Sequence, residues 1–218
     1  DKILDGDHEI AFHTMYHNRL DSMKNKQEFV DELKKFAELT SKKSKGFRAP
    51  SFSLNYSSSW AIDALVENGY QYDSSIVPAK TSLYGMPNAE IKPYKITTSN
   101  LEKNNHDGKL IEFPLLTKKI FHFSFPVAGG FFIRLLPLRW IEKAIKSNED
   151  KKIPSTFYIH SWELTPEHMR KVQMSKRDNF ITYYNLKKTS ARLEKLLKKF
   201  EFTSFERFIS NTGHTFNL

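Results

Sequence analysis

Cysteine is absent from this 218-residue chain, so disulfide bonds and thiolate metal ligands are excluded. No long apolar run is present either: residues 131–140 are interrupted by two arginines and a proline and are too short to cross a bilayer. The Gly-Gly pair at 129–130 lacks the following Lys-Ser/Thr of a phosphate-binding loop, which argues against a nucleotide site. The chain opens without a basic-then-apolar signal segment, and residue 1 is not methionine, so we expect a fragment or a processed product.

The composition is that of a folded protein. Hydrophobic residues make up 39% of the chain, including 18 phenylalanines, which argues against disorder. The length allows one large α/β domain, and we predict a single domain over residues 1–218. The net charge of +9 could favour an anionic glycan, a membrane surface or nucleic acid. Because the lysines are spread over several predicted helix faces, solvated surface is the favoured explanation, and no nucleic-acid-reading motif is visible.

Strand-like and helical segments alternate along the chain. Asn25 is placed to cap a first helix, and a second helix is predicted over 60–68, ended by Gly69. Strands separated by helices are typical of a parallel sheet built from βαβ units. Strands are predicted at residues 9–12, 46–49, 70–76, 110–113, 120–125 and 156–160, with an irregular insertion at 79–109, a last long helix from Asn185 and a closing strand or turn at 202–205.

Two histidines, His13 and His17, follow the apolar segment 9–12 and are four residues apart. In a turn of helix, this spacing puts both side chains on one face, where two neutral imidazoles can hold one divalent cation. Thr14 occupies the position at which the zincin motif requires glutamate, so a zincin is excluded. The plainer alternative is a pair of surface or core histidines that bind nothing.

Four short segments in order resemble the motifs of polysaccharide deacetylases, the carbohydrate esterase family 4 enzymes. They are HTMYH at 13–17, RAPSF at 48–52, YDSS at 72–75 and FYIH at 157–160. Three more are similar to a bacterial branch linked to exopolysaccharide and exosortase loci: PVAGGFFIRLLP at 126–137, HSWE at 160–163 and YYNL at 183–186. The resemblance spans nearly all of the chain and implies the family's fold, a distorted (β/α) barrel.

The resemblance also implies a metal-dependent hydrolase that removes N-acetyl groups from a bacterial polysaccharide. His13 and His17 match the two histidines that bind a divalent metal in this family, with zinc the expected ion. The metal would hold the acetamide oxygen and a water as a Lewis acid. A catalytically inactive glycan-binding module on the same scaffold is the alternative that we keep open.

Five further residues receive roles from the resemblance. Arg48 would orient the catalytic carboxylate, His160 would protonate the leaving amine as general acid, and Asp73 would tune that histidine. Trp162 and Phe52 would contact the substrate. From the residues alone, Arg48 could equally be a surface arginine in a salt bridge, His160 a core histidine, Asp73 a turn residue and Trp162 a core residue.

The chain departs from the family at its first motif, a pair of adjacent aspartates. No Asp-Asp pair occurs anywhere in the sequence, and only twelve residues precede His13. We therefore expect the first strand to be missing, metal binding to be weak and deacetylase activity of the chain as given to be low. Asp21 could fold back as a substitute ligand, but it would not also supply a catalytic base.

Overall fold

The protein is described here from a computed structural model, which describes residues 5–6, 8–23, 25–40 and 44–212. It divides into two compact units. The sheet unit comprises Asp1–Leu115 and Thr203–Leu218, and the helical unit comprises Leu116–Phe202. A single domain over residues 1–218 stays a prediction.

The helices are α1 (Lys26–Thr40), α2 (Trp60–Glu67), α3 (Gly130–Leu135), α4 (Leu138–Glu149), α5 (Ser161–Leu164), α6 (Lys176–Tyr183), α7 (Thr189–Lys199) and α8 (Phe205–Thr212). The strands are β1 (Gly46–Phe47), β2 (Tyr72–Asp73), β3 (Tyr94–Ile96), β4 (Leu110–Glu112), β5 (Thr117–Ile120) and β6 (Phe123–Pro126). Short 3₁₀ turns lie at Leu20–Ser22, Pro50–Phe52, Tyr56–Ser58, Pro166–His168 and Leu186–Lys188.

The sheet unit is built on a mixed four-stranded sheet in the order β1-β2-β4-β3. β1 pairs with β2 and β2 pairs with β4 in parallel, whereas β3 runs antiparallel to β4. β1, α2 and β2 form the predicted βαβ unit, and the α/β class is confirmed. Phe12 extends the sheet by one bridge, because its N–H donates to Gly46 and its carbonyl accepts from the Arg48 N–H.

Aromatic packing explains why the segment before His13 is fixed. The Phe12 ring lies 4.9 Å from Phe36, 5.7 Å from Phe47 and 5.9 Å from Phe29. The predicted cap of α1 is confirmed, since the side chain of Asn25 accepts the Glu28 N–H at 3.0 Å.

The chain returns to the sheet unit at α8 after passing through the helical unit. The Phe205 ring at the start of α8 lies 4.8 Å from the ring of Phe113 and 5.8 Å from that of Tyr72. Lys45 pairs with Glu206 at 2.8 Å. This last helix therefore covers the end of β4. The closing strand or turn predicted at 202–205 is irregular backbone at 202–204 that leads into α8.

Other predicted strands were too long. The segment 70–76 forms only β2, and the insertion at 79–109 contains β3. Within 156–160, Thr156 alone makes a bridge, and His160 already serves as the N-cap of α5. The segment 120–125 is the turn of a hairpin rather than one strand. Within the described residues, no helix combines the length and apolar character that a bilayer crossing needs.

Replacing Phe12 by alanine should lower the free energy of unfolding by about 3–5 kcal/mol, because the ring is buried and contacts four other aromatic rings. Urea denaturation measures this change. Leu39→Ala is the control, since Leu39 on α1 is 67% exposed and its loss should cost less than about 0.5 kcal/mol. Equal losses in the two variants would contradict this packing.

Candidate functional site

His13 and His17 lie close together in the sheet unit. Their ring centroids are 5.1 Å apart, with the planes inclined at 72°. The convergence predicted from the spacing is confirmed, but a loop produces it and not a turn of helix. Thr14 and His17 both have left-handed backbone, with φ of 54° and 57°. The left-handed conformations of Thr14 and His17 turn the chain so that the two imidazole rings face each other edge to face.

The ring of His13 is oriented by a backbone acceptor. Its Nδ1 lies 2.6 Å from the carbonyl oxygen of Arg48. Because a carbonyl can only accept, Nδ1 carries the hydrogen and Nε2 keeps a lone pair. Histidines that ligate metals commonly donate their second ring N–H to such a carbonyl, which fixes the tautomer. His13 is therefore prepared to ligate through Nε2.

Helix α1 anchors the loop between the histidines. The backbone N–H of Met15 donates to the carboxylate of Glu32 at 2.8 Å, and Glu32 is buried. Lys35, one turn further along α1, donates to the hydroxyl of Tyr16 at 3.1 Å. The position of the histidine pair thus depends on a helix whose start is set by Asn25.

Strained backbone is concentrated around this loop. Among the described residues, seven other than glycine have positive φ, and four of them lie in the segments 13–17 and 50–52. The second segment contributes Ser51 and Phe52, with φ of 54° and 52°. Such conformations each cost about 1–3 kcal/mol and tend to cluster at functional sites. The half-buried Phe52 ring lies 5.0 Å from that of Tyr84.

Arg48 lies just beyond β1 and reaches the end of the neighbouring strand. Its Nε donates to the Ser74 carbonyl and its Nη2 to the Ser74 hydroxyl, both at 2.8 Å. Ser74 donates in turn to the carbonyl of Phe113 at 2.8 Å. Since β1, β2 and β4 are parallel, these residues share the C-terminal edge of the sheet, where α/β proteins place their binding sites.

Asp73 is paired with a second buried acid, Glu112. The two residues are direct partners in the β2–β4 register, and both are 0% exposed. Asp73 Oδ1 accepts from the Ser75 hydroxyl at 2.6 Å, and that hydroxyl accepts the Ala49 N–H at 2.8 Å. Glu112 Oε1 accepts the Ile76 N–H at 2.9 Å. Among the described residues, no N–H or hydroxyl donates to Asp73 Oδ2.

Two neighbouring carboxylates in the protein interior repel each other when both are ionised, so the doubly charged pair has a high free energy. Burial, and then the charge of Asp73, raises the pKa of Glu112 well above its ordinary value. Burial also raises the pKa of Asp73 to about 6, against hydrogen bonds from Glu112 and Ser75. We infer that Glu112 keeps its proton at neutral pH. The protonated carboxyl of Glu112 then donates a hydrogen bond to Asp73, whose Oδ2 has no other donor among the described residues.

Sequence reasoning did not select Glu112, although a signal was present. In β4, Leu110 and Glu112 are buried while Ile111 between them is only half-buried. A charged residue at an inward position of an alternating strand indicates a buried acid that needs a partner. The complete burial of Asp73 suits a role in positioning the 48–52 segment through Ser75 better than direct contact with substrate.

In the helical unit, His160 is held by a carboxylate that sequence reasoning also missed. Its Nδ1 lies 3.2 Å from Glu163 Oε2, and its backbone N–H donates to the same oxygen at 3.0 Å. Burial raises the pKa of Glu163, but hydrogen bonds from His160 and the charge of Arg134 outweigh burial and lower it. The ionised carboxylate only accepts, so Nδ1 of His160 carries the hydrogen and Nε2 is left to exchange protons.

Arg134 neutralises the buried Glu163. Their side chains are 3.0 Å apart and each is 1% exposed. The remaining donors of the guanidinium reach backbone carbonyls at 2.7–3.1 Å: those of Gly130, Ile181, Thr182 and Tyr184. All five N–H groups of Arg134 therefore have acceptors. The carbonyls of Ile181 and Thr182 lie in the last turn of α6 and that of Tyr184 belongs to its C-cap, a position where a cation is favourable.

The neighbourhood of Glu163 leaves no room for a side chain at position 130. A Cβ on Gly130 would lie 1.7 Å from a carboxylate oxygen of Glu163. The ring of Trp162 stacks on His160 at 5.3 Å and 19°. The three segments 126–137, 160–163 and 183–186 thus meet around one buried ion pair.

The predicted site residues divide between the two units. His13, His17, Arg48, Phe52 and Asp73 lie in the sheet unit, and His160 and Trp162 lie in the helical unit. Asp21, the suggested substitute ligand, forms a two-bond pair with Arg19 at 2.7 and 2.9 Å.

The donor chemistry near His13 suits a divalent cation only in part. In the part of the chain that the structure describes, no three His, Cys, Asp or Glu residues form a group that could hold a metal ion. A catalytic zinc usually takes three protein ligands and one water. The prepared tautomer of His13 and the convergence of the pair fit zinc, and they supply two of those three ligands.

Stability should fall as pH rises, because the acid pair binds protons in the folded state that the unfolded chain has already released. The loss begins above the ordinary carboxyl pKa near 4 and continues past about 6, where Asp73 ionises. Glu112→Gln should weaken this dependence to the part that Asp73 contributes through its own burial, because the glutamine amide can donate to Asp73 without ionising. Thermal unfolding between pH 5 and pH 8 tests it.

At pH 8 the Glu112→Gln variant should match or exceed the wild type in stability, by up to a few kcal/mol, since one pKa unit corresponds to about 1.4 kcal/mol. Leu39→Ala, at an exposed position without a titratable group, is the control and should keep the wild-type pH profile. A wild-type profile in Glu112→Gln would show that the two acids do not share a proton.

Comparison with solved structures finds a likeness to a "putative polysaccharide deacetylase from Mycobacterium smegmatis". Identity is 16%, the TM-score is 0.46, and the match covers 86% of this chain. The chain spans 66% of that protein's length. No curated protein matches the chain.

Comparison with models of protein families finds one family that matches a long part of the sequence. It is described as "Domain of unknown function (DUF3473)" and matches residues 74–210. The match includes Glu112, Arg134, His160 and Glu163 but begins after the histidine pair. Because it covers more than half of the 218 residues, the chain belongs to the DUF3473 family.

Proposed function

We propose that this chain takes part in the metal-dependent hydrolysis of N-acetyl groups on a bacterial polysaccharide, with His13 and His17 as metal ligands and zinc as the metal. The observation that carries the proposal is the paired histidine loop, whose rings lie 5.1 Å apart with Nδ1 of His13 held by the Arg48 carbonyl. Left-handed backbone at Thr14 and His17 supports it, since such strain persists where a geometry is needed. We also propose that the chain belongs to the bacterial branch of polysaccharide deacetylases that is linked to exopolysaccharide loci.

Each remaining residue has a role that its own surroundings support. The metal, when bound, would polarise the acetamide carbonyl and acidify a water. His160 exchanges a proton at Nε2 as the general acid, and Glu163 fixes the tautomer that leaves Nε2 available. Trp162 and Phe52 offer half-buried rings to a sugar. Arg48 orients the catalytic carboxylate in the family, and here it is held through Ser74 at the sheet edge.

Zinc binding tests the histidine pair without reference to catalysis. After chelation, the chain should bind about one zinc ion in isothermal titration, and His13→Ala or His17→Ala should each weaken binding by at least about tenfold. His122→Ala is the control because His122 is an exposed histidine of the helical unit, whereas His13 and His17 belong to the sheet unit. Undiminished zinc binding in the His13→Ala/His17→Ala double variant would refute the metal site.

Turnover of chitin oligosaccharides tests the reaction. Where activity is measurable, in this chain or in a version extended upstream, His160→Ala should lower kcat by about 10²–10⁴-fold with little change in KM. Glu163→Gln should lower kcat less and shift its pH profile, because it removes the charge that fixes the His160 tautomer. Binding of the oligosaccharide without release of acetate in any form would instead favour the glycan-binding module.

A further inference from the structure

The strands β5 and β6 of the helical unit form an amphipathic hairpin, residues 117–126. Lys118 pairs with Phe125, and Ile120 with Phe123, across the ribbon. Residues opposite each other in an antiparallel pair point to the same face, so Lys118, Phe123 and Phe125 share one face. Thr117, Lys119 and Ser124 lie on the other face. A two-residue turn, Phe121-His122, joins the strands.

Three phenylalanine side chains of this hairpin are exposed. Phe121 is 90% exposed, Phe123 70% and Phe125 48%. Within the described part of the chain, none of these three rings contacts another aromatic ring. Phe121 also has left-handed backbone with φ of 53°, which is rare for a bulky residue. A solvent-exposed ring held in an unfavourable conformation at a turn indicates a selected function rather than a packing role.

The sequence that contains the hairpin carries charge of one sign. Residues 113–141 contain no aspartate or glutamate, although Glu112 and Glu142 flank them, and they contain Lys118, Lys119 and two arginines. Among the described residues, neither Lys118 nor Lys119 forms an ion pair. Unpaired lysines beside exposed phenylalanines, without acids, are the composition of segments that lie in the interface of an anionic membrane.

Two other occupants suit the hairpin less well. The three rings expose on the order of 400 Å² of apolar surface, about half of what one partner buries in a stable protein interface. In a two-fold symmetric dimer formed through this hairpin, the lysines of one copy would lie near the same lysines of the other copy, and their like charges would repel. A sugar bound to Phe121 would stay largely in solvent because that ring is 90% exposed, whereas ligand sites bury most of their ligand.

We propose that the 117–126 hairpin inserts its phenylalanine rings into the headgroup region of an anionic lipid bilayer with the Phe121 turn entering first, so that Lys118 on the ring face and Lys119 on the opposite face both contact lipid phosphates. The rings enter the boundary between headgroups and acyl chains, where aromatic side chains are favourable. Lys118 lies opposite Phe125, so its aliphatic stem can follow the ring while its ammonium group reaches the phosphates. The association is peripheral and needs no spanning helix.

Vesicle sedimentation with the full chain tests the proposal. The chain should bind vesicles of phosphatidylcholine mixed with phosphatidylglycerol more tightly than vesicles of phosphatidylcholine alone, and added salt should reduce that difference. Phe121→Gly combined with Phe123→Ser should lower partitioning at least about tenfold. Lys118→Gln combined with Lys119→Gln should abolish the preference for anionic vesicles while retaining weak binding.

The choice of variants separates loss of binding from loss of fold. Glycine tolerates the left-handed backbone at position 121, so Phe121→Gly alone should keep or raise the melting temperature while weakening binding. Leu39→Ser and Leu83→Ser are matched controls, because these residues are 67% and 63% exposed in the sheet unit, and they should bind as the wild type does.

Three results would overturn the proposal. The first is that the wild type does not bind vesicles, and the second is that the wild type and the double phenylalanine variant bind equally well. The third is that the wild type self-associates without lipid and that the double phenylalanine variant does not. The last result would assign the hairpin to a second copy of the chain.

Discussion

The parallel register of β2 against β4 is the constraint on which the sheet unit depends. It places Asp73 beside Glu112 in the interior, and one proton must be retained for both to be accommodated. The resulting pair holds the Ser75 hydroxyl, and that hydroxyl holds the Ala49 N–H. The neighbouring carbonyl of Arg48 then orients His13. The ring that we assign to metal binding is therefore connected to a buried acid pair two strands away.

A different solution to charge burial organises the helical unit. Arg134 lies in an apolar segment, and every one of its donors is satisfied by Glu163 or by carbonyls. Breaking such a pair leaves an uncompensated charge, which is far more costly than the pair is stabilising. This explains why three sequence segments that lie far apart in the chain are all needed to hold one exposed histidine. Glu163 holds the Nδ1 side of His160, and the His160 side chain is 46% exposed.

Local patterns predicted local features of this protein well. The i, i+4 spacing identified His13 and His17, and Asn25 and Gly69 marked where helices begin and end. What the sequence did not reveal were partners brought together by distant pairing. Glu112 becomes meaningful only once β4 is known to lie beside β2, and the acceptors of Arg134 lie up to 50 residues away. Glu163 was the exception, because it lies three residues after His160 in a capping-box position that could have been recognised.

The return of the chain at α8 has a consequence for how the protein is made. The sheet unit contains both the segment before residue 116 and α8, whose Phe205 packs on Tyr72 and Phe113. During synthesis the ribosome must therefore deliver the whole of the helical unit before the sheet unit can receive its last helix. Until then, the aromatic surface at the end of β4 is open to the cytosol of the producing cell, and to its chaperones. The nascent chain should bind such factors until residue 212 has left the exit tunnel.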